Sequence, residues 1–224
     1  MKNRRFVGFI FAILLSSLGA KGARIFNVTD YGAKGDDLTE NATSIQQAID
    51  AAEAADEGIV LFPEGEYRTA TIFLKDNVTL RLEKDAVIKG TSNYALYPAN
   101  IEPSFQTFLL RKDRYAPRVL IVAIEKESIT IEGEGVIDGN GEAPEFKGKK
   151  RMGSINLIRF IKCRNMTIQG TGSLTRKLKI TNAAHWALQP IGVDGLSVRN
   201  VHIHNYGGET PDGLAICDSQ NVLV

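Results

Sequence analysis

The chain has 224 residues, 43% of them hydrophobic and 24% charged, with a formal net charge of +1. This is ordinary globular composition at a length that supports one substantial core, so one domain is expected. The near-neutral charge argues against nucleic acid as a partner. Two cysteines, Cys163 and Cys217, are too few for a disulfide framework; a single bridge and two buried free thiols both fit.

At the start, Lys2, Arg4 and Arg5 precede the apolar run Phe6 to Leu15, followed by the small residues Ser16, Ser17, Gly19, Ala20 and Gly22. Basic, apolar and small regions in that order predict a signal peptide over 1–22, and hence a secreted or periplasmic protein that leaves the membrane after cleavage. The apolar run falls well short of the about twenty residues that span a bilayer. Without those residues the formal charge becomes −3. Residues 23–224 are then the folded domain. Asn-x-Ser/Thr sequons at Asn27, Asn41, Asn77 and Asn165 matter only where the host glycosylates secreted proteins.

The segment Ile25 to Asp37 reads as a short strand running into a Gly/Asp turn. Thr43 to Gln46 fits a capping box, and Ile45, Ala48, Ile49 and Ala52 fall at helical spacing, predicting one amphipathic helix that ends near Gly58. Turn and helix-start chemistry accounts for Asp36 and Asp37 more simply than a metal site does. After Gly58 the pattern changes to short β-rich runs separated by Gly, Asn and Asp, predicting strands near 59–62, 71–74, 78–82, 87–88, 119–124, 129–131, 136–137, 157–161, 166–168, 178–180, 196–198, 201–203 and 222–224. Strands this short, with no helices between them, exclude a doubly wound α/β fold.

Within this series a repeat is visible. Asn77-Val-Thr-Leu, Ser128-Ile-Thr-Ile, Asn165-Met-Thr-Ile, Gly195-Leu-Ser-Val and Asn221-Val-Leu-Val share a polar or Gly start before alternating apolar residues, with starts 51, 37, 30 and 26 residues apart. Such self-similarity marks a solenoid, in which each coil buries its inward face on its neighbours. The single helix is then an N-terminal cap over the first strand edges. Ser92 to Pro117 and Asn140 to Gly153 interrupt the period, the second carrying Lys147, Lys149, Lys150 and Arg151, a cluster read as a solvated loop.

Several stretches in order resemble the polygalacturonases, glycoside hydrolase family 28. Val28 to Asp37 with Ala42 to Asp50 is similar to the opening segment of pectin-active β-helices, an opening shared with other β-helix proteins. Phe62-Pro-Glu-Gly-Glu-Tyr67, Asn77 to Leu82 and Gly133-Glu-Gly-Val-Ile-Asp-Gly-Asn-Gly141 continue the match. Ile180-Thr-Asn-Ala-Ala-His-Trp186 looks like the family's Asn-Ser-Pro-x-Trp segment, with Ala183 and Ala184 in place of Ser and Pro. The resemblance implies an all-β, right-handed parallel β-helix, here C-terminally incomplete, and a monomer with a polysaccharide substrate and no cofactor.

In the family an NTDG motif supplies one of three catalytic aspartates, and Thr210-Pro-Asp-Gly213 falls where that motif belongs, making Asp212 the catalytic candidate. Read alone, Pro-Asp-Gly is a plain turn. Thr210 and Pro211 replace the motif's Asn and Thr, and Ala215 stands where a further aspartate is usual. The resemblance places the partner carboxylates, an Asp-Asp pair, after Val224, followed by a Gly-His-Gly and an Arg-Ile-Lys. It thus implies inverting hydrolysis of a pectin-like, polygalacturonate-type plant polysaccharide, with only part of the site in these residues.

His185 and Trp186 are candidates for substrate contact, because an aromatic ring stacks on a sugar's C–H face, although a core Trp fits equally. His202 and His204 alternate on one strand face; without a third ligand they read as solvated, and no metal is expected. Asp138 and Asp194, beside glycines, read as turn residues. Two other readings remain open at this level: a β-helix polysaccharide lyase and a glycan-binding β-helix that does not cut.

Overall fold

The protein is described here from a computed structural model, which describes residues 22–99, 101, 118–146, 155–173, 175–207 and 211–224. Residues 1–21 of the expected leader, most of the Ser92 to Pro117 interruption, the basic cluster Lys147 to Arg151, and Thr210 lie outside the described residues.

The described strands, in chain order, are β1 (Arg24–Asn27), β2 (Gly58–Phe62), β3 (Gly65–Thr69), β4 (Ile72–Phe73), β5 (Thr79–Leu82), β6 (Ala86–Gly90), β7 (Arg118–Ile124), β8 (Thr130–Gly133), β9 (Val136–Asp138), β10 (Ile155–Ile161), β11 (Arg164–Gly170), β12 (Leu178–Thr181), β13 (Leu188–Ile191), β14 (Asp194–Arg199), β15 (Val201–His204) and β16 (Gln220–Leu223). They form three parallel sheets: β1-β2-β5-β8-β11-β14-β16, β3-β6-β9-β12-β15 and β4-β7-β10-β13. Each coil visits the first, second and third sheet in turn. This is the predicted parallel β-helix.

The sequence repeat marks one corner of that helix. Asn77, Ser128, Asn165 and Asn221 have φ between 54° and 59°, and Gly195 has φ 85°, so the shared polar or Gly start is the left-handed residue that turns the chain into the first sheet. Asn and Gly tolerate this conformation best. The repeats also stack residue on residue: Thr79 pairs with Thr130, Thr130 with Thr167, Thr167 with Ser197 and Ser197 with Leu223.

The inward residues make three apolar ladders along the axis. Val60, Leu80, Ile131, Ile168 and Val198 align in the first sheet. Tyr67, Ile88, Ile137, Ile180 and Ile203 align in the second, and Ile72, Ile121, Ile158 and Leu188 in the third. Nearly all are fully buried, each contributing about 1.5–3 kcal/mol relative to exposure.

Helix α1 runs Ala42–Ala54 and buries Ile45, Ala48, Ile49 and Ala52, as the spacing predicts. Its start differs from the predicted capping box: Asn41 is the N-cap and makes no capping bond. The Asn41 side chain instead accepts from the Lys34 N–H at 2.8 Å and donates to the carbonyls of Lys34, Thr39 and Arg68, tying the preceding turn to β3. Gln46 pairs with β4, its Nε2 donating to the Phe73 carbonyl at 3.0 Å while Oε1 accepts from the Phe73 N–H at 2.9 Å. The helix therefore covers the first strands with a side chain that mimics a strand neighbour, as a cap requires.

Asp36 closes an Asx turn, accepting from the Leu38 and Thr39 N–H groups and the Thr39 hydroxyl. The Thr39 N–H foremost, then that of Leu38, hold its carboxyl down at about 2. Asp37 pairs with Lys89 at 2.8 Å and Arg68 at 3.2 Å. Both aspartates do structural work, as expected. Cys163 and Cys217 are free thiols, the first buried and the second half-buried.

Two strands are absent from the sequence-based series. In β3, Glu66 and Arg68 face outward and leave only Tyr67 as a large inward apolar residue. In β13, Pro190 reads as a strand breaker; its carbonyl nevertheless accepts from the Cys217 N–H at 3.0 Å, so it lacks only a donor.

Candidate functional site

The sequence-nominated residues come together where the second sheet passes to the third. In one coil β12 leads through Asn182-Ala183-Ala184-His185-Trp186 into β13. In the next, β15 leads through Asn205 and onward to Pro211-Asp212-Gly213. The Asp212 carbonyl accepts from the Ala187 N–H at 2.9 Å, and the Gly213 carbonyl from the Leu188 N–H at 3.0 Å. Leu214 and Cys217 then bridge in parallel to Leu188 and Ile191. Asp212 thus opens the next rung of the third sheet, one coil, about 4.8 Å, beyond Trp186 and Ala187.

The three candidates differ in exposure. Asp212 is exposed and Trp186 half-buried, whereas His185 is only 2% exposed. The His185 and Trp186 rings meet edge to face, with centroids 4.6 Å apart and planes at 85°. The imidazole therefore props the indole from inside the corner, and the carboxylate and the indole are the groups nearer solvent.

Side-chain amides hold the corner together. Asn205 lies one coil above Asn182, following from the pairing of Thr181 with His204. Its Oδ1 accepts from the Ala183 N–H at 2.7 Å, and its Nδ2 donates to the His185 carbonyl at 2.6 Å and the Asp212 carbonyl at 3.1 Å. Below it, Asn182 Oδ1 accepts from the Glu142 N–H at 3.2 Å and its Nδ2 donates to Asp138 Oδ1 at 3.1 Å. Gly207 rests on this stack: a Cβ there would lie 2.4 Å from Asn182 Oδ1. The backbone of Ala183, itself fully buried, runs so close to Gly139 and Gly141 that a Cβ added at either would come within 2.7 Å of it, which explains glycine at those two positions.

Asp138 is more than the turn residue that its sequence suggests. Burial raises its carboxyl above the ordinary aspartate range, against the lowering effect of hydrogen bonds from the Asn140 N–H and Asn182. Asn182, Asn205 and Asp138 all escaped nomination, although the Asn that follows both Thr181 and His204 carries the signal. Ala215 bonds to the Leu188 carbonyl at 2.9 Å and falls in line with Gln189 and Arg159 on the third sheet, where Arg159 Nε donates to Gln189 Oε1 at 2.7 Å. The position where the resemblance implies a second aspartate is thus physically present and carries a methyl group.

His202 and His204 are exposed on the outer face of β15, with ring centroids 6.1 Å apart. Among the described residues, no group of three or more His, Cys, Asp or Glu is placed to hold a metal ion.

Residues 25–103 match the family described as rhamnogalacturonase A/epimerase, pectate lyase-like. An exo-poly-α-D-galacturonosidase of Dickeya chrysanthemi is 33% identical over 218 residues, covering 89% of this chain. The chain spans 35% of that protein's length. Among solved structures, a family 28 exopolygalacturonase of Yersinia enterocolitica superposes with TM-score 0.71 at 23% identity, over 89% of this chain and 42% of the other. The A-module of a mannuronan C-5 epimerase from Azotobacter vinelandii gives TM-score 0.60 at 25% identity, over 86% and 48%. The chain is a polygalacturonase-like right-handed parallel β-helix, and its resemblance to glycoside hydrolase family 28 is borne out over 89% of its length.

Proposed function

We propose that this chain forms part of a secreted glycoside hydrolase that cuts a polygalacturonate-type plant polysaccharide by inversion. The observation that carries the reading is the exposed Asp212, at the motif's aspartate position, opening a rung of the third sheet directly beside Trp186. Inverting hydrolysis needs one carboxylate to activate water and a carboxylic acid to protonate the leaving oxygen, about 6.5–9.5 Å apart. Groups on coils stacked at about 4.8 Å reach that separation across one or two coils. Asp212 is the water-activating carboxylate, its acid partner comes from a following coil, and Trp186, propped by His185, offers its face to a sugar ring.

The test uses the protein at its natural length, assayed on polygalacturonate for new reducing ends, with and without Asp212→Asn. Cutting that the substitution reduces to a small residual rate while the fold survives supports the assignment; a variant that cuts normally removes it. Ala215 favours one second reading, a glycan-binding β-helix that does not cut, and binding of polygalacturonate without release of reducing ends would establish it.

A further inference from the structure

We propose that Asn205 is a positioning residue for Asp212, fixing the peptide from which the carboxylate projects; this rests on the reading of Asp212 as the water-activating group. One amide joins three points on two coils: the Ala183 N–H at 2.7 Å, the His185 carbonyl at 2.6 Å and the Asp212 carbonyl at 3.1 Å. With the Ala187 N–H at 2.9 Å, this gives the Asp212 carbonyl two donors, one for each lone pair. The peptide plane is then held from two directions, and only the side-chain torsions of Asp212 remain to aim its carboxylate.

The same amide sets the other half of the corner. By holding the His185 carbonyl it fixes the backbone that leads into Trp186, so carboxylate and indole take their spacing from one side chain. Only an amide does this with three bonds, because the corner requires one acceptor and two donors. Aspartate in its place would keep the acceptor and set a charged oxygen against two carbonyls. Alanine would take this partner from the His185 carbonyl and the Ala183 N–H and leave the Asp212 carbonyl with the Ala187 N–H as its donor. Neither change removes a group that touches a sugar, so the loss falls chiefly on the rate of the chemical step, and KM moves only as far as the Trp186 indole shifts.

The experiment compares kcat and KM on an oligogalacturonate for wild type, Asn205→Ala, Asn205→Asp, Asp212→Asn and the Asn205→Ala/Asp212→Asn double variant, in the natural-length protein. Circular dichroism at the assay temperature confirms the folded fraction. Misplacement of about 1 Å at a reacting group costs up to about 100-fold, so Asn205→Ala should lower kcat about 10- to 100-fold with KM changed less than about 3-fold, and Asn205→Asp should lower it further. In the Asp212→Asn background, whose residual rate is the reference, adding Asn205→Ala should change little, because the two act as one unit. A folded Asn205→Ala or Asn205→Asp that cuts at the wild-type rate while Asp212→Asn is impaired overturns the positioning role alone. An equal loss in both backgrounds also overturns it. If Asp212→Asn cuts normally, the reading of Asp212 itself fails and the positioning role falls with it.

Discussion

The backbone carbonyl of Asp212 accepts a hydrogen bond from the N–H of Ala187 at 2.9 Å, although 25 residues separate them in sequence. That single rung of the parallel ladder sets Asp212 one coil above Trp186 on the third sheet. Neither segment contains the other's chemistry; stacking of coils creates the pairing.

Trp186 is half-buried, with its ring braced by His185. Replacing it with alanine removes the flat apolar surface offered to a sugar, and aromatic contacts of this kind are worth about 0.5–1.5 kcal/mol beyond area burial. Trp186→Ala should therefore raise KM for oligogalacturonates several-fold, with a smaller change in kcat. Steady-state kinetics on substrates of defined length check this, and an unchanged KM would assign the indole to the core.

The cap can be tested at one residue. Gln46→Ala removes both bonds to Phe73 and leaves the N–H and C=O of an edge strand without their side-chain partner. At a net value of about 0.5–1.5 kcal/mol per bond, the variant should lose about 1–3 kcal/mol in urea unfolding. It should also associate more readily, because an open strand edge templates pairing; light scattering during refolding reads this directly.

The pH dependence of stability has two opposing parts. Asp36 titrates at about 2 in the folded protein, held there first by the Thr39 N–H and then by that of Leu38. Burial alone would raise Asp37, but hydrogen bonds from Lys89 and Arg68 outweigh it and hold that carboxyl below the ordinary range. A folded-state value below the unfolded one stabilises fully above about pH 4 and is lost as pH falls toward about 2. Asp138 has the reverse sign: burial raises it, so its contribution is present at low pH and is lost as pH rises through its folded value. Asp138→Asn keeps an acceptor for Asn182 and Asn140, and it should raise stability near pH 7 relative to pH 4. Melting temperatures of wild type and variant from pH 3 to 8 give the comparison; parallel profiles would mean that Asp138 does not titrate differently in the folded protein.

Gly207 tests how tightly the corner is closed. An added Cβ would lie 2.4 Å from Asn182 Oδ1 and 3.0 Å from the Ala183 carbonyl oxygen. Overpacking of this kind costs about 1–3 kcal/mol. Gly207→Ala should lower the melting temperature by several degrees and the cutting rate by more than the loss of folded protein explains. A variant with wild-type stability would show that the stack yields.

The sequence by itself determined the coil. A left-handed residue followed by alternating apolar positions is a local pattern, and each repeat from Asn77 to Asn221 lies in the register that its spacing implies. The amphipathic helix was equally legible, because helical periodicity is local too. Asp212 stood out only through its motif, since Pro-Asp-Gly alone is an ordinary turn. The tertiary structure decided which polar groups meet. Gln46 with Phe73, Asn182 with Asp138 and Asn205 with the Asp212 carbonyl depend on how coils stack and how far each corner is drawn in. β13 belongs there as well, because a strand containing Pro190 forms only between neighbours already in place. Local torsional preference and apolar alternation are properties of consecutive residues and can be read along the chain. A hydrogen bond across coils is a property of distance, and distance between coils exists only after folding.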